Sequence, residues 1–152
     1  MNYCHKYRKE IFGNFGVSDL ESFVDSIYEE ALIMQDLFLD FKDNYLGKQN
    51  HRLQDIFLPL DNSNYRLSSL QVSKAKVPSK DRPNIYPVLR LYSIKISDST
   101  FIVTAGCLKF TFSLSGTDDC SRANSRTNMV RDWLKQESYE TQDDITYYYE
   151  SN

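Results

Sequence analysis

Residues 88–110 read Val88-Leu89-Arg90-Leu91-Tyr92-Ser93-Ile94-Lys95-Ile96, then Ser97-Asp98-Ser99, then Thr100-Phe101-Ile102-Val103-Thr104-Ala105-Gly106-Cys107-Leu108-Lys109-Phe110. Two runs rich in β-branched and aromatic residues flank a short polar turn, which is the pattern of an antiparallel hairpin. A turn this short fixes the pairing register. Side chains alternate along a strand, so Arg90, Tyr92, Ile94 and Ile96 share one face, with Leu89, Leu91, Ser93 and Lys95 on the other. Gly106, inside an apolar run, predicts a bulge or a close backbone approach.

Upstream of the hairpin, residues 65–77 predict a strand, placed at an edge by Lys74 and Lys76. Residues 78–87 hold Pro78, Pro83 and Pro87 with Lys80 and Arg82, and read as an irregular connection. Residues 50–64 predict a short helical turn that docks on the core and stops near Pro59. Further back, Ser18-Asp19-Leu20-Glu21 fits a capping box with Ser18 as the cap. Leu20, Phe23, Val24, Ile27, Tyr28, Ala31, Met34, Phe38, Phe41 and Tyr45 then follow helical spacing, so one long helix spans about 19–46 and Gly47 ends it. Downstream, residues 121–137 predict a helix capped by Ser121 or Asp119, with Ala123, Val130, Trp133 and Leu134 on its inner side. Thr141-Gln142-Asp143-Asp144 is a second capping box, opening a short acidic helix that carries Tyr147-Tyr148-Tyr149. Those tyrosines either dock on the core or form a protein-binding patch. The expected fold is α+β: a small antiparallel sheet packed against a long N-terminal helix and a C-terminal helix.

A length of 152 residues predicts one domain spanning 1–152. The composition, 41% hydrophobic and 26% charged, excludes collagen-like and wholly disordered classes. No apolar run approaches the roughly 20 residues of a membrane span, and the polar start resembles no signal peptide. Cys4, Cys107 and Cys120 are an odd number without metal spacing, so the sequence predicts no disulfide framework and a cytoplasmic location. No dinucleotide, P-loop or metalloprotease motif occurs, and neither a metal nor a cofactor is expected. The net charge of −3 conceals a strong division. Residues 19–61 sum to −7, the basic region 65–110 to +6, and 111–152 to −4, with an acidic tail over 138–152. Such asymmetry marks either a site for an anionic ligand or a solvated sheet edge.

The order helix, strand, basic connection, hairpin, helix resembles the RelE/ParE/HigB superfamily of small bacterial toxins, most of all its HigB-like, phage-associated branch. The residues that carry the resemblance are Leu89-Arg90-Leu91-Tyr92-Ser93-Ile94 and Ile102-Val103-Thr104-Ala105-Gly106-Cys107-Leu108-Lys109. The resemblance implies a RelE-like fold and the toxin component of a toxin–antitoxin system: a ribosome-dependent, metal-independent endoribonuclease of messenger RNA, restrained by an antitoxin from an adjacent gene. It implies Arg90 and Lys109 as phosphate and transition-state contacts, with Tyr92 stacking on a base or assisting proton transfer. Lys74, Lys76, Lys80, Arg82 and Lys95 become RNA-backbone contacts. The acidic total, and the absence of histidine from the matching block, support an alternative: a non-catalytic member of the fold that binds a protein or regulates one.

Overall fold

The computed structural model describes residues 2–44, 53–60, 69–77, 87–112 and 117–151. The hairpin forms as expected: β3 (Leu89–Lys95) pairs antiparallel with β4 (Phe101–Leu108). The preceding strand, β2 (Val72–Ala75), pairs antiparallel with β3, and a two-residue strand, β1 (Leu58–Pro59), pairs with β2. The sheet order is thus β1-β2-β3-β4. This corrects the edge position expected for β2. A short strand just after the helical turn α4 (Leu53–Ile56) shields one side of it, so Lys74 sits inside the sheet, opposite Tyr92.

One long helix covers each face. Helix α3 (Leu20–Asn44) lays Met34, Leu37 and Phe38 against Ala75, Val77, Leu89 and Leu91. Helix α5 (Asp118–Gln136) packs on the opposite face, where Leu134 meets Ile94 and Ile96, and Ala123 meets Tyr92. The alternation read along β3 therefore assigns a helix to each face. Two short helices, α1 (Asn2–Lys6) and α2 (Arg8–Phe15), precede α3 and were not foreseen in the polar start. Their Cys4, Tyr7 and Ile11 close a third cluster with Phe23, Val88 and Phe110. Gly16 ends α2 at φ 60°, a left-handed conformation that glycine adopts without a Cβ clash. Burial of Phe23, Phe57 and Phe110 contributes about 2–3 kcal/mol each.

The helix starts differ from the sequence reading by a residue or more. Asp19, rather than Ser18, caps α3: its carboxylate accepts the Ser22 N–H at 2.8 Å, which holds its pKa below the usual carboxylate range. Either side chain has the chemistry, and the carboxylate is the stronger acceptor at the positive end of the helix. Thr117 caps α5, two to four residues before the expected caps, so Asp118 and Asp119 fall in the first turn. The second capping box forms as read. Asp144 N–H donates to Thr141 Oγ1, and the Asp144 carboxylate accepts Thr141 N–H at 2.8 Å, at the start of α6 (Gln142–Ser151). Trp133 departs from its expected core position. It is 45% exposed and rests on Tyr139 and Tyr148. Gly47 and the turn at 61–64 lie outside the described residues.

Two features fix β4 in place. A bulge lies where Tyr92 pairs with Ala105 while Ser93 pairs with Val103, leaving Thr104 extra. It lets Thr104 join Ala105 in facing α5, where the Thr104 and Thr127 hydroxyls bond at 2.7 Å. Gly106 is the close approach rather than the bulge, since an added Cβ would stand 3.1 Å from Leu91 Cδ2 and 3.3 Å from the Arg90 carbonyl. A disulfide between Cys107 and Cys120, 13 residues apart, then joins β4 to the first turn of α5. This overturns the expectation of unpaired cysteines. The odd count misleads because Cys4 is the leftover, buried in the N-terminal cluster with its thiol pKa raised by that burial. The bond also removes the cysteine argument for a cytoplasmic, reducing compartment, where such bonds are rare. No described helix is long and apolar enough to cross a membrane.

Candidate functional site

Cross-strand register assembles the site. Lys74 on β2 pairs with Tyr92 on β3, and Arg90 on β3 pairs with Cys107 on β4. Lys76 lies just past the last paired residue of β2, and Lys109 just past the end of β4, where its N–H donates to the Val88 carbonyl at 2.8 Å. Period-2 alternation puts all four cations on the face that carries α5, at the end where β3 begins.

Their proximity bears on how Lys74 and Lys109 hold their protons. Burial is the largest cause lowering the Lys74 pKa, and the charges of Arg90 and Lys76 lower it further. Lys109 is lowered by burial, then by Arg90, Lys74 and Lys76. Lys74 donates to the Leu60 carbonyl at 3.2 Å, a neutral acceptor. Among the described residues no carboxylate forms an ion pair with Lys74, Lys76 or Lys109. The cluster is three half-buried ammonium groups around a guanidinium, and among the described residues no carboxylate forms an ion pair with the three lysines.

Arg90 and Tyr92 are placed differently from the lysines. Arg90 is 4% exposed, and its Nη1 donates to the carbonyls of Pro87 and Leu89 at 2.8 Å each. Tyr92 is 8% exposed, and burial raises its phenol pKa against an opposing pull from Arg90. Both residues supply field and shape to the site from beneath the surface. Lys95 does not belong to the cluster. It stands about 17 Å from Arg90 along β3 at ordinary strand rise, and its Nζ is 2.6 Å from Asp98. The hairpin turn supplies a partner for Lys95, which the sequence reading groups with the RNA-backbone contacts. Lys80 and Arg82 lie outside the described residues.

Glu30 is a residue that the sequence reading missed. It is fully buried on α3, and its carboxylate accepts Val88 N–H at 3.1 Å and Leu89 N–H at 2.9 Å. These bonds fasten the start of β3, and with it the cation cluster, to the long helix. The signal was present: Phe23, Ile27, Glu30 and Met34 follow the inner helical stripe, and a carboxylate on that stripe needs donors when buried.

No protein-family model matches the chain, and no curated protein or solved structure matches it.

Proposed function

We propose that this protein binds the phosphodiester backbone of RNA, with Lys74, Lys76 and Lys109 as the phosphate contacts. One observation carries the reading: these three lysines sit half-buried beside Arg90, burial and the neighbouring cations lower the pKa of Lys74 and Lys109, and among the described residues no carboxylate forms an ion pair with any of the three. A row of phosphates relieves that repulsion and releases counterions in doing so. The resemblance to RelE-like and HigB-like toxins extends the proposal to a partner and a setting. The RNA is then messenger RNA on the ribosome, and the protein is the toxin member of a toxin–antitoxin pair whose antitoxin comes from an adjacent gene. In that role Arg90 and Lys109 stabilise charge on the scissile phosphate, and Tyr92 assists.

A second reading, binding without cleavage, is favoured by the burial of Arg90 and Tyr92 and by the carbonyls that occupy the Arg90 guanidinium. Two assays separate the readings. Fluorescence anisotropy with a 20-nucleotide single-stranded RNA tests binding. Contact with three phosphates gives a salt slope of about −2, so affinity falls about 20-fold between 50 and 200 mM salt. Flat salt dependence, or no binding at 50 mM, defeats the RNA proposal. Induced expression then tests cleavage: growth arrest with cut messages, relieved by Lys109→Ala, identifies a toxin, and harmless expression with intact messages identifies a binding module.

A further inference from the structure

The sheet ends on an open edge. Among the described residues no strand pairs with the outer side of β4. Its eight residues contain neither a charge nor a proline, and Val103 is 50% exposed. Edge strands are ordinarily protected by lysine, proline, a covering element or a bulge, and among the described residues β4 shows the bulge at Thr104 and no paired strand outside it. Beside this edge a cavity of about 510 Å³ lies between Ala105–Leu108 and α5, bordered by Tyr3. Arg122 and Arg126 line it from the helix. Asp119, the single acid in its lining among the described residues, is paired with Arg122. Arg126 has no carboxylate partner among the described residues.

We propose that the β4 edge and this cavity dock an extended, acidic segment of a partner protein, which adds to the sheet as a fifth strand. Main-chain hydrogen bonds to β4 supply affinity, and alternate side chains supply specificity. Acidic residues two apart on such a strand project to the same side about 7 Å from one another. Arg122 and Arg126 are four residues apart on a helix, a rise of about 6 Å. The first acid meets Arg126, and the second competes with Asp119 for Arg122. The site is distinct from the lysine cluster and does not depend on RNA binding.

A random nine-residue peptide library panned against the full chain tests the proposal. The expected peptides are enriched in Asp or Glu at alternate positions, and synthetic copies slow hydrogen exchange of the Phe101–Leu108 amides. Arg126→Glu, an exposed change, weakens them about tenfold. Val103→Lys, which places a protective lysine on the edge, weakens them as well without altering α5. Four outcomes overturn the proposal: no acidic enrichment, binding that leaves the β4 amides exchanging as before, binding indifferent to Arg126→Glu, or a concentration-dependent dimer that protects β4 without peptide. Protection of β4 by the 20-nucleotide RNA, lost with Arg126→Glu, also overturns it by assigning the cavity to nucleic acid.

Discussion

The two ends of β3 treat buried positive charge in opposite ways. At the end of the strand, Lys95 is 5% exposed and its ammonium reaches Asp98, three residues away in the hairpin turn. At the start, Arg90 and its neighbours Lys74, Lys76 and Lys109 share one another's field, and among the described residues no carboxylate forms an ion pair with the three lysines. A cation with its own counter-ion is finished structure. The three lysines repel one another where Lys95 does not, and on the proposed reading an anion at the basic end relieves that repulsion.

The comparison breaks most visibly through charge reversal. Lys74→Glu with Lys109→Glu is expected to weaken 20-nucleotide RNA binding about 100-fold at 50 mM salt and to reduce the salt slope by about 1.4, while Lys95→Glu leaves affinity within about twofold. Equal losses from both ends, measured by anisotropy, erase the distinction. Next in size is the anchor. Glu30→Ala leaves the Val88 and Leu89 amides without their acceptor in a buried site, for a loss of about 3 kcal/mol in urea unfolding. The same variant loosens the basic end and not the turn, so amide exchange rises at residues 88–90 before it rises at 94–96.

Smaller effects sharpen the contrast. Asp98→Ala removes the carboxylate 2.6 Å from the Lys95 ammonium and costs about 1 kcal/mol, moderated by the exposure of that carboxylate. Lys109→Met removes repulsion and raises the melting temperature, so the two ends respond with opposite signs. The smallest effect is in pH. Lys74 and Lys109 have folded pKa values below their ordinary 10.5, so the unfolded chain holds more protons between the folded and unfolded values. Their contribution to stability therefore increases as pH rises through that window toward 10.5. Urea titrations from pH 8.5 to 10.5 show this gain in the wild type, diminished in Lys74→Met and Lys109→Met.

What the sequence disclosed followed from how local each signal was. The hairpin and the long helix depend on periodicity within a single run, and both formed where their patterns lay. Caps moved by a residue or more because Ser18 and Asp19, or Thr117 and Asp119, offer interchangeable acceptors. Cross-chain facts were hidden: β1 shielding β2, the Cys107–Cys120 bond, and Glu30 reaching Val88 and Leu89 all join positions that only the folded arrangement brings together. The site was half legible. Lys74, Lys76, Arg90 and Lys109 converge as their place in the basic region suggests, but composition counted Lys95 with them because it registers charge without register or partner.

The link between β4 and α5 also changes how the chain comes apart. Residues 108–119, including Lys109, lie in a loop that is closed covalently at both ends. A single proteolytic cut inside that loop yields two pieces that still travel together in a non-reducing gel, and they separate only after a thiol reductant opens the bond. The nicked protein thus keeps the termini of its strand and helix tethered, and refolding remains an intramolecular event.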